Sequence, residues 1–277
     1  MIAQRNVVLD DGRILSTYDS APGTPQAFTV IWHHGSPQTG ALLDPLVSAT
    51  ASRGIRIISY GRPSYGGSTP LPGRSVASAA GDVAQVADAL GVGRFASMGA
   101  SGGGPHALAC AALLPDRVAS VCCLAGIAPL TAEFDWFDGM VAPGGLRAAI
   151  DGRTARAQFA EIDEFDPRSF IQIDYDTLED PWSSLGRDAM RAGDGGPDGL
   201  IDDDVAFVSP WGFDLSQVRV PALFVQGGMD RIVPAAHGRW QTHATSHGEL
   251  WLRPRDGHIS VLNASFLALD WLQANAN

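Results

Sequence analysis

The sequence predicts an α/β protein, with a mostly parallel sheet that is covered on both faces by helices. Short, largely apolar segments alternate with segments of helical periodicity over residues 28–124, and the alternation returns over residues 222–273. Strands that are apolar along their whole length are typical of parallel sheets, because helices bury both of their faces. Of the 277 residues, 45% are hydrophobic, which is enough for one large core domain.

The N-terminal part begins with a hairpin and continues with strand–helix units. Val7–Leu9 and Ile14–Tyr18 flank the turn sequence Asp10-Asp11-Gly12 and are expected to pair. The further strands predicted in this part are Phe28–Trp32, Ile55–Tyr60, Phe95–Met98 and Val118–Leu124. The predicted helices, each followed by a glycine or a proline, are Leu42–Arg53, Val76–Leu90 and Gly103–Leu114.

The C-terminal part repeats this pattern. Its predicted strands are Ala222–Val225 and Glu249–Leu252, and its predicted helices are Ala235–Thr242 and Ser260–Gln273. Both parts together are therefore expected to form one core domain of residues 1–128 and 215–277.

Residues 129–214 differ in composition from both parts. Trp, Phe and Asp dominate this stretch, strand-like runs are missing, and Gly and Pro recur. Residues 133–214 hold 19 of the 30 acidic residues and 6 of the 19 basic ones, a balance of −13. The sequence therefore predicts an acidic helical cap at residues 129–214, inserted into the core domain. Consecutive acids such as Asp202-Asp203-Asp204 are expected to be solvated.

Composition and charge exclude several classes of function. A net charge of −11 disfavours nucleic acid or an anionic membrane as a partner. Every basic residue is an arginine, so Schiff-base lysine chemistry and a P-loop are excluded. Three cysteines without CxxC spacing indicate neither a disulfide framework nor a zinc site. We expect a small-molecule substrate, no cofactor and no metal. Because the N-terminus lacks a signal-peptide pattern, we also expect a cytoplasmic protein.

The segment Gly99-Ala100-Ser101-Gly102-Gly103 is the strongest local signal of chemistry. It has the form G-x-S-x-G and lies between a predicted strand and a predicted helix. A serine at such a sharp turn is held with its hydroxyl exposed, and small neighbours let the turn approach the facing backbone. Ser101 is therefore the predicted nucleophile.

A serine hydroxyl needs a base, and the base needs an acid that orients it. His258 follows the last predicted strand and is the best candidate base, with His237 as the next. Asp230 follows the strand Ala222–Val225 at the carboxyl edge of the sheet and is the candidate acid. Asp256 is the nearest alternative acid.

Other histidines are expected to have structural or solvent-exposed positions. We expect His106 to pack behind the serine, and His237, His243 and His247 to lie on or beyond an exposed helix.

An oxyanion hole requires two backbone donors, for which we expect the N–H groups of Gly102 and Ser36.

The chain resembles the capped α/β-hydrolase superfamily. The resemblance rests on five ordered segments: His34–Pro37, Gly61–Ser68, Gly99–Gly103, Pro221–Pro234 and Asp256–His258. It implies the α/β-hydrolase fold, the order Ser…Asp…His and a helical cap inserted before the strand that precedes the acid. Relatives such as haloalkane dehalogenases and epoxide hydrolases use an aspartate where Ser101 stands.

The subfamily is less strongly indicated. Proline iminopeptidases carry HGGPG and DQRG-type segments, and this chain departs from them at Gln38 and at Tyr60-Gly61. Carbon–carbon bond hydrolases carry a segment similar to His34-Gly35-Ser36 of this chain, but they commonly have an aromatic residue where Ile259 stands.

Three functional hypotheses follow. The first is an esterase-like serine hydrolase that cleaves a small ester or lactone, neutral or cationic, through an acyl-enzyme on Ser101. The second is an aminopeptidase similar to proline iminopeptidases, whose acidic caps hold a free amine. The third is a non-catalytic ligand-binding protein on the same scaffold.

Overall fold

An eight-stranded sheet in the order β1-β2-β4-β3-β5-β6-β7-β8 organises the computed structural model, which describes residues 2–24 and 27–276. Its strands are β1 (Ala3–Val8), β2 (Ile14–Asp19), β3 (Thr29–His33), β4 (Arg56–Tyr60), β5 (Phe95–Ala100), β6 (Val118–Leu124), β7 (Ala222–Gly227) and β8 (Gly248–Arg253). The β1–β2 and β2–β4 pairs are antiparallel, and the other neighbouring strands are parallel. The mostly parallel sheet predicted from the sequence is confirmed.

Helices cover both faces of the sheet. Outside residues 129–214 they are α1 (Asp44–Ala51), α2 (Ser78–Ala89), α3 (Gly103–Leu113), α9 (Ala235–Ala244) and α10 (Ser265–Ala274). Two apolar clusters lie on the two faces: Val83, Leu108 and Phe224 belong to one, and Trp32, Leu46 and Leu269 to the other. Since both faces are covered, β3 to β7 consist of buried residues throughout, as their apolar composition indicated.

The predicted closing helix is the one predicted core helix that the structure divides in two. Residues Ser260–Ala264 form a 3-10 helix, and the α-helix begins at Ser265. The N–H of Ser260 in this first turn donates a hydrogen bond to Asp174, which lies far from it in the chain. The helical periodicity of a single segment does not reveal such a partner. Among the described residues, no helix is both long enough and apolar enough to cross a bilayer.

In the part of the chain that the structure describes, the segment between β6 and β7 contains helices and no strand. Its α-helices are α4 (Gly144–Ile150), α5 (Arg153–Ala160), α6 (Gln172–Glu179), α7 (Ser183–Asp194) and α8 (Asp198–Val208), and a 3-10 helix spans Pro167–Ser169. We refer to residues 129–214 as the inserted segment.

The expectation that Asp202, Asp203 and Asp204 are solvated was wrong. All three are buried in α8, and each lies within ion-pair distance of an arginine. Asp203 accepts a hydrogen bond of 2.7 Å from Arg62, which stands 141 positions earlier in the chain. Partners at such sequence separation are brought together by the fold, so the acidic run alone could not reveal them.

Candidate active site

Ser101 occupies the sharp turn between β5 and α3 in the left-handed region, with φ of 52°. Its side chain is only half-buried, although its neighbours are buried. A side chain at Gly99 would collide with the backbone of Gly103, and one at Gly103 would collide with the backbone of His33. The glycines therefore allow the turn to pack against the sheet while Ser101 remains accessible.

The structure brings the three predicted site residues together. The Nε2 atom of His258 lies 3.0 Å from the Oγ atom of Ser101. The other ring nitrogen, Nδ1, lies 2.8 Å from Oδ2 of Asp230. This chain of contacts fits a hydroxyl that donates to Nε2 while Nδ1–H donates to the carboxylate.

Asp230 is held by the backbone of its own loop. Its Oδ1 atom accepts hydrogen bonds from the N–H groups of Ile232 and Val233, both at 2.9 Å. The amide of Gln226 donates to Oδ2 at 3.3 Å and to the carbonyl of Val233 at 2.7 Å. The carboxylate is thus fixed by three donors besides the histidine, which leaves it little freedom to turn away from His258.

The surroundings of His258 raise the pKa of its ring. Burial acts in the opposite direction and is the largest single influence, because it disfavours the charged imidazolium. The charge and the hydrogen bond of Asp230 oppose burial, and the charge of Asp174 adds to them, so that the pKa lies above its ordinary value. The site therefore stabilises the imidazolium that forms when His258 takes a proton.

The alternatives for base and acid lie elsewhere. Asp256 accepts a hydrogen bond from Arg253 at 2.9 Å rather than from the imidazole. The expectation that His237 is exposed was wrong: it is fully buried, and its ring contacts the N–H of Ala128 and the carbonyl of Trp136. Burial also lowers the pKa of His237 to about 4. His237 is thus a packed, neutral residue.

The two predicted oxyanion donors lie on facing loops. A side chain at Gly102 would collide with the hydroxyl of Ser36, and one at Gly35 would lie 3.6 Å from the Cβ atom of Ser101. The N–H of Gly35 donates to Oε1 of Gln38 at 2.6 Å. Within residues 2–24 and 27–276, the N–H groups of Ser36 and Gly102 have no hydrogen-bond acceptor.

A buried ion-pair network behind this loop was missed from the sequence. Arg62 donates to Oδ2 of Asp203 at 2.7 Å and to the hydroxyl of Ser36 at 2.8 Å, and its guanidinium also contacts the carbonyl of His34. Burial alone would raise the pKa of Asp203, but Arg62 and Arg74 hold that pKa well below its usual range. The segment Gly61–Ser68, which contains Arg62, was the only sequence signal for this network. The partner of Arg62, Asp203, is recognised only in the folded chain.

A cavity of about 420 Å³ adjoins Ser101 and His258. The large apolar side chains that line it come from the core and from the inserted segment, and they are Trp32, Leu43, Phe165, Phe170, Leu178, Leu185, Ile232, Ile259 and Leu262. No Asp, Glu or Arg lies among the described lining residues. The cavity therefore suits a neutral, apolar group and offers no counter-charge to a cationic one.

The fold agrees with the comparisons with known proteins. A family model described as "alpha/beta hydrolase fold" matches residues 29–265. The chain therefore belongs to the α/β hydrolase fold family, as the resemblance implied.

Particular relatives are named as an esterase and as a chloroperoxidase. The chain is 30% identical over 170 residues to a pimeloyl-[acyl-carrier protein] methyl ester esterase of Neisseria meningitidis; the match covers 60% of this chain and 52% of that protein. The chain thus spans about half the length of that relative. It is also 27% identical over 233 residues to a non-heme chloroperoxidase of Streptomyces lividans, covering 77% of this chain and 78% of that one.

Solved structures extend the likeness over the whole fold. A thermophilic esterase from Thermogutta terrifontis superposes with a TM-score of 0.74 at 20% identity, over 99% of this chain and 100% of that one. At this identity the superposition shows a shared fold.

Proposed function

We propose that the protein is a serine hydrolase that cleaves a small ester or lactone through an acyl-enzyme on Ser101. The observation that carries the proposal is the continuous contact from Ser101 Oγ through His258 to Asp230, at 3.0 and 2.8 Å. A ligand-binding protein would have no need for a nucleophile, a base and an acid in this order. The relative that is named as a methyl ester esterase supports the cleavage of an ester.

The proposed reaction has two halves. His258 takes the hydroxyl proton as Ser101 Oγ attacks the ester carbonyl, and the N–H groups of Ser36 and Gly102 stabilise the oxyanion of the tetrahedral intermediate. The bond to the alkoxy group breaks, and His258 returns the proton to the leaving alcohol. Water then attacks the acyl-enzyme with His258 as base, which releases the acid and restores the serine.

The lining of the cavity supports the proposed substrate class. An apolar acyl or alkoxy group would bury its surface against Phe170, Leu185 and Leu262, and each buried CH₂ contributes about 0.8 kcal/mol. An aminopeptidase needs a carboxylate for the free amine of its substrate, and the lining offers none. We therefore favour a neutral ester over an amine-bearing substrate.

We further propose that the inserted segment, residues 129–214, acts as a cap over a core of residues 1–128 and 215–277. Phe165, Phe170 and Leu185 of the segment line the same cavity as Ser101. Removing them would leave the site open to water on that side, whereas the closed wall favours an apolar substrate and strengthens the electrostatics of the oxyanion hole.

The test is covalent labelling with a fluorophosphonate, followed by hydrolysis of p-nitrophenyl esters and prolyl amides. Ser101→Ala should remain folded, lose the label and lose turnover by about 10³-fold or more. Ser120→Ala is the matched control, since Ser120 is buried in β6 and its hydroxyl donates to the carbonyl of Leu272 at 3.0 Å. More than a tenth of the original turnover in Ser101→Ala would refute Ser101 as nucleophile, and faster cleavage of prolyl amides than of esters would favour the aminopeptidase.

A further inference from the structure

Asp174 of the inserted segment binds the backbone directly after His258. Its Oδ1 atom accepts hydrogen bonds from the N–H of Ile259 at 3.0 Å, the N–H of Ser260 at 2.8 Å and the hydroxyl of Ser260 at 2.7 Å. The side chain is fully buried. One carboxylate oxygen therefore collects three donors from the turn that carries the candidate base, and charge-assisted hydrogen bonds of this kind are about twice as strong as neutral ones.

The same contact reaches the residue before His258. Ser260 Oγ, which donates to Asp174, also accepts a hydrogen bond from the N–H of Gly257 at 2.8 Å. A side chain at position 257 would collide with the carboxylate of Asp174, so glycine is required for this approach. Asp174 thus fixes the backbone on both sides of His258.

The inserted segment holds Asp174 in place from its own side. The Oδ2 atom accepts a hydrogen bond from the N–H of Ile171 at 3.2 Å, at the start of α6. The carboxylate therefore caps a helix of the segment with one oxygen and binds the histidine turn of the core with the other. If the segment moved away, the turn would lose all three hydrogen bonds.

We propose that Asp174 is a positioning residue for His258, and that it couples the geometry of the base to the packing of the inserted segment against the core. The inference rests on the proposed role of His258 as the base. Two acidic groups act on this ring, Asp230 through its hydrogen bond to Nδ1 and Asp174 through its charge, and both favour the imidazolium. Asp174 thereby contributes to the geometry of the base and to its charge.

The test compares Asp174→Asn with Asp188→Asn. Asp188 is the matched control because it is also a buried aspartate of the inserted segment that binds the core, through the N–H and hydroxyl of Thr39 at 2.9 and 2.6 Å. Two quantities are measured: kcat and KM for p-nitrophenyl butyrate over pH, and the titration of the His258 ring by NMR of protein labelled with ¹⁵N-histidine. The His258 signal is assigned from its absence in His258→Gln.

In Asp174→Asn we expect kcat to fall about tenfold or more, with KM within about twofold, because the base is misplaced while the cavity is intact. The His258 titration should move to lower pH, since a negative charge is lost. Asp188→Asn should leave that titration in place. An unchanged titration in Asp174→Asn would overturn the inference, even if kcat fell through general loss of stability.

The two readouts separate this inference from the proposed function. The NMR titration requires no turnover, so it reports on Asp174 even if Ser101 is not the nucleophile. Should Asp174→Asn fail to fold, Ser260→Ala keeps the carboxylate but removes one of its three donors. That variant should lower kcat without the large pH shift, and kcat equal to that of the unaltered protein would overturn the positioning role.

Discussion

Asp203 accepts a hydrogen bond from the hydroxyl of Ser36 at 2.5 Å, although the two residues are 167 positions apart in the chain. Asp203 belongs to α8 of the inserted segment, and Ser36 belongs to the loop proposed to supply an oxyanion donor. Arg62 contacts both side chains. Asp174, also of the inserted segment, accepts a hydrogen bond from the N–H of Ser260 in the turn that follows His258. The inserted segment therefore binds both loops that flank Ser101.

Asp203→Asn should destabilise the protein by about 3–5 kcal/mol, because it leaves Arg62 and Arg74 buried without a full counter-charge. The measurement is urea unfolding at neutral pH. Asp198→Asn is the control, since Asp198 is mostly exposed and its pair with Arg153 should contribute less than about 1 kcal/mol. Equal stabilities of the two variants would contradict the importance given to the buried network.

Asp230→Asn should lower turnover by roughly 10²- to 10⁴-fold with little change in fold, because the amide favours the wrong imidazole tautomer. Asp256→Asn is the matched control, since Asp256 lies two residues before His258 but pairs with Arg253. Steady-state kinetics and circular dichroism of both variants would check this. Near-normal turnover in Asp230→Asn would mean that another group orients His258.

Activity should fall on acidification, and the midpoint should lie above the ordinary histidine pKa of about 6.5. Only neutral His258 can accept the serine proton. Its pKa is raised because Asp230 and Asp174 outweigh burial, so protonation already removes the base at a higher pH than for a free histidine. The measurement is kcat/KM for a neutral ester from pH 5 to 9. A midpoint below pH 6 in the folded protein would disagree with the charges around the ring.

Neutral esters should have kcat/KM values at least about tenfold higher than amine-bearing or carboxylate-bearing isosteres, since the cavity lacks a charged partner. Salt should change this preference little, because it arises from burial rather than from long-range attraction. Matched p-nitrophenyl esters at low and high ionic strength provide the test. A preference for the amine that weakens with salt would instead support steering by the acidic surface.

The candidate site could largely be predicted from local patterns. Ser101 stands in a five-residue motif between a strand and a helix, and Asp230 and His258 follow strands of one parallel sheet. Carboxyl ends of parallel strands meet at one edge of the sheet, so strand order and chain position suffice to bring these residues near each other. Their catalytic roles stay predictions.

The sequence by itself determined the α/β fold, because the apolar periodicity of each element is a local property and the order of the elements leaves few topologies. Only the tertiary structure decided the fate of polar residues whose partners lie far along the chain. Asp203 and His237 were expected in solvent and are buried, since Arg62, Trp136 and their neighbours satisfy them. Hydrogen bonds and ion pairs depend on distance in space, and only the folded chain fixes that distance for Asp174 and the turn of His258.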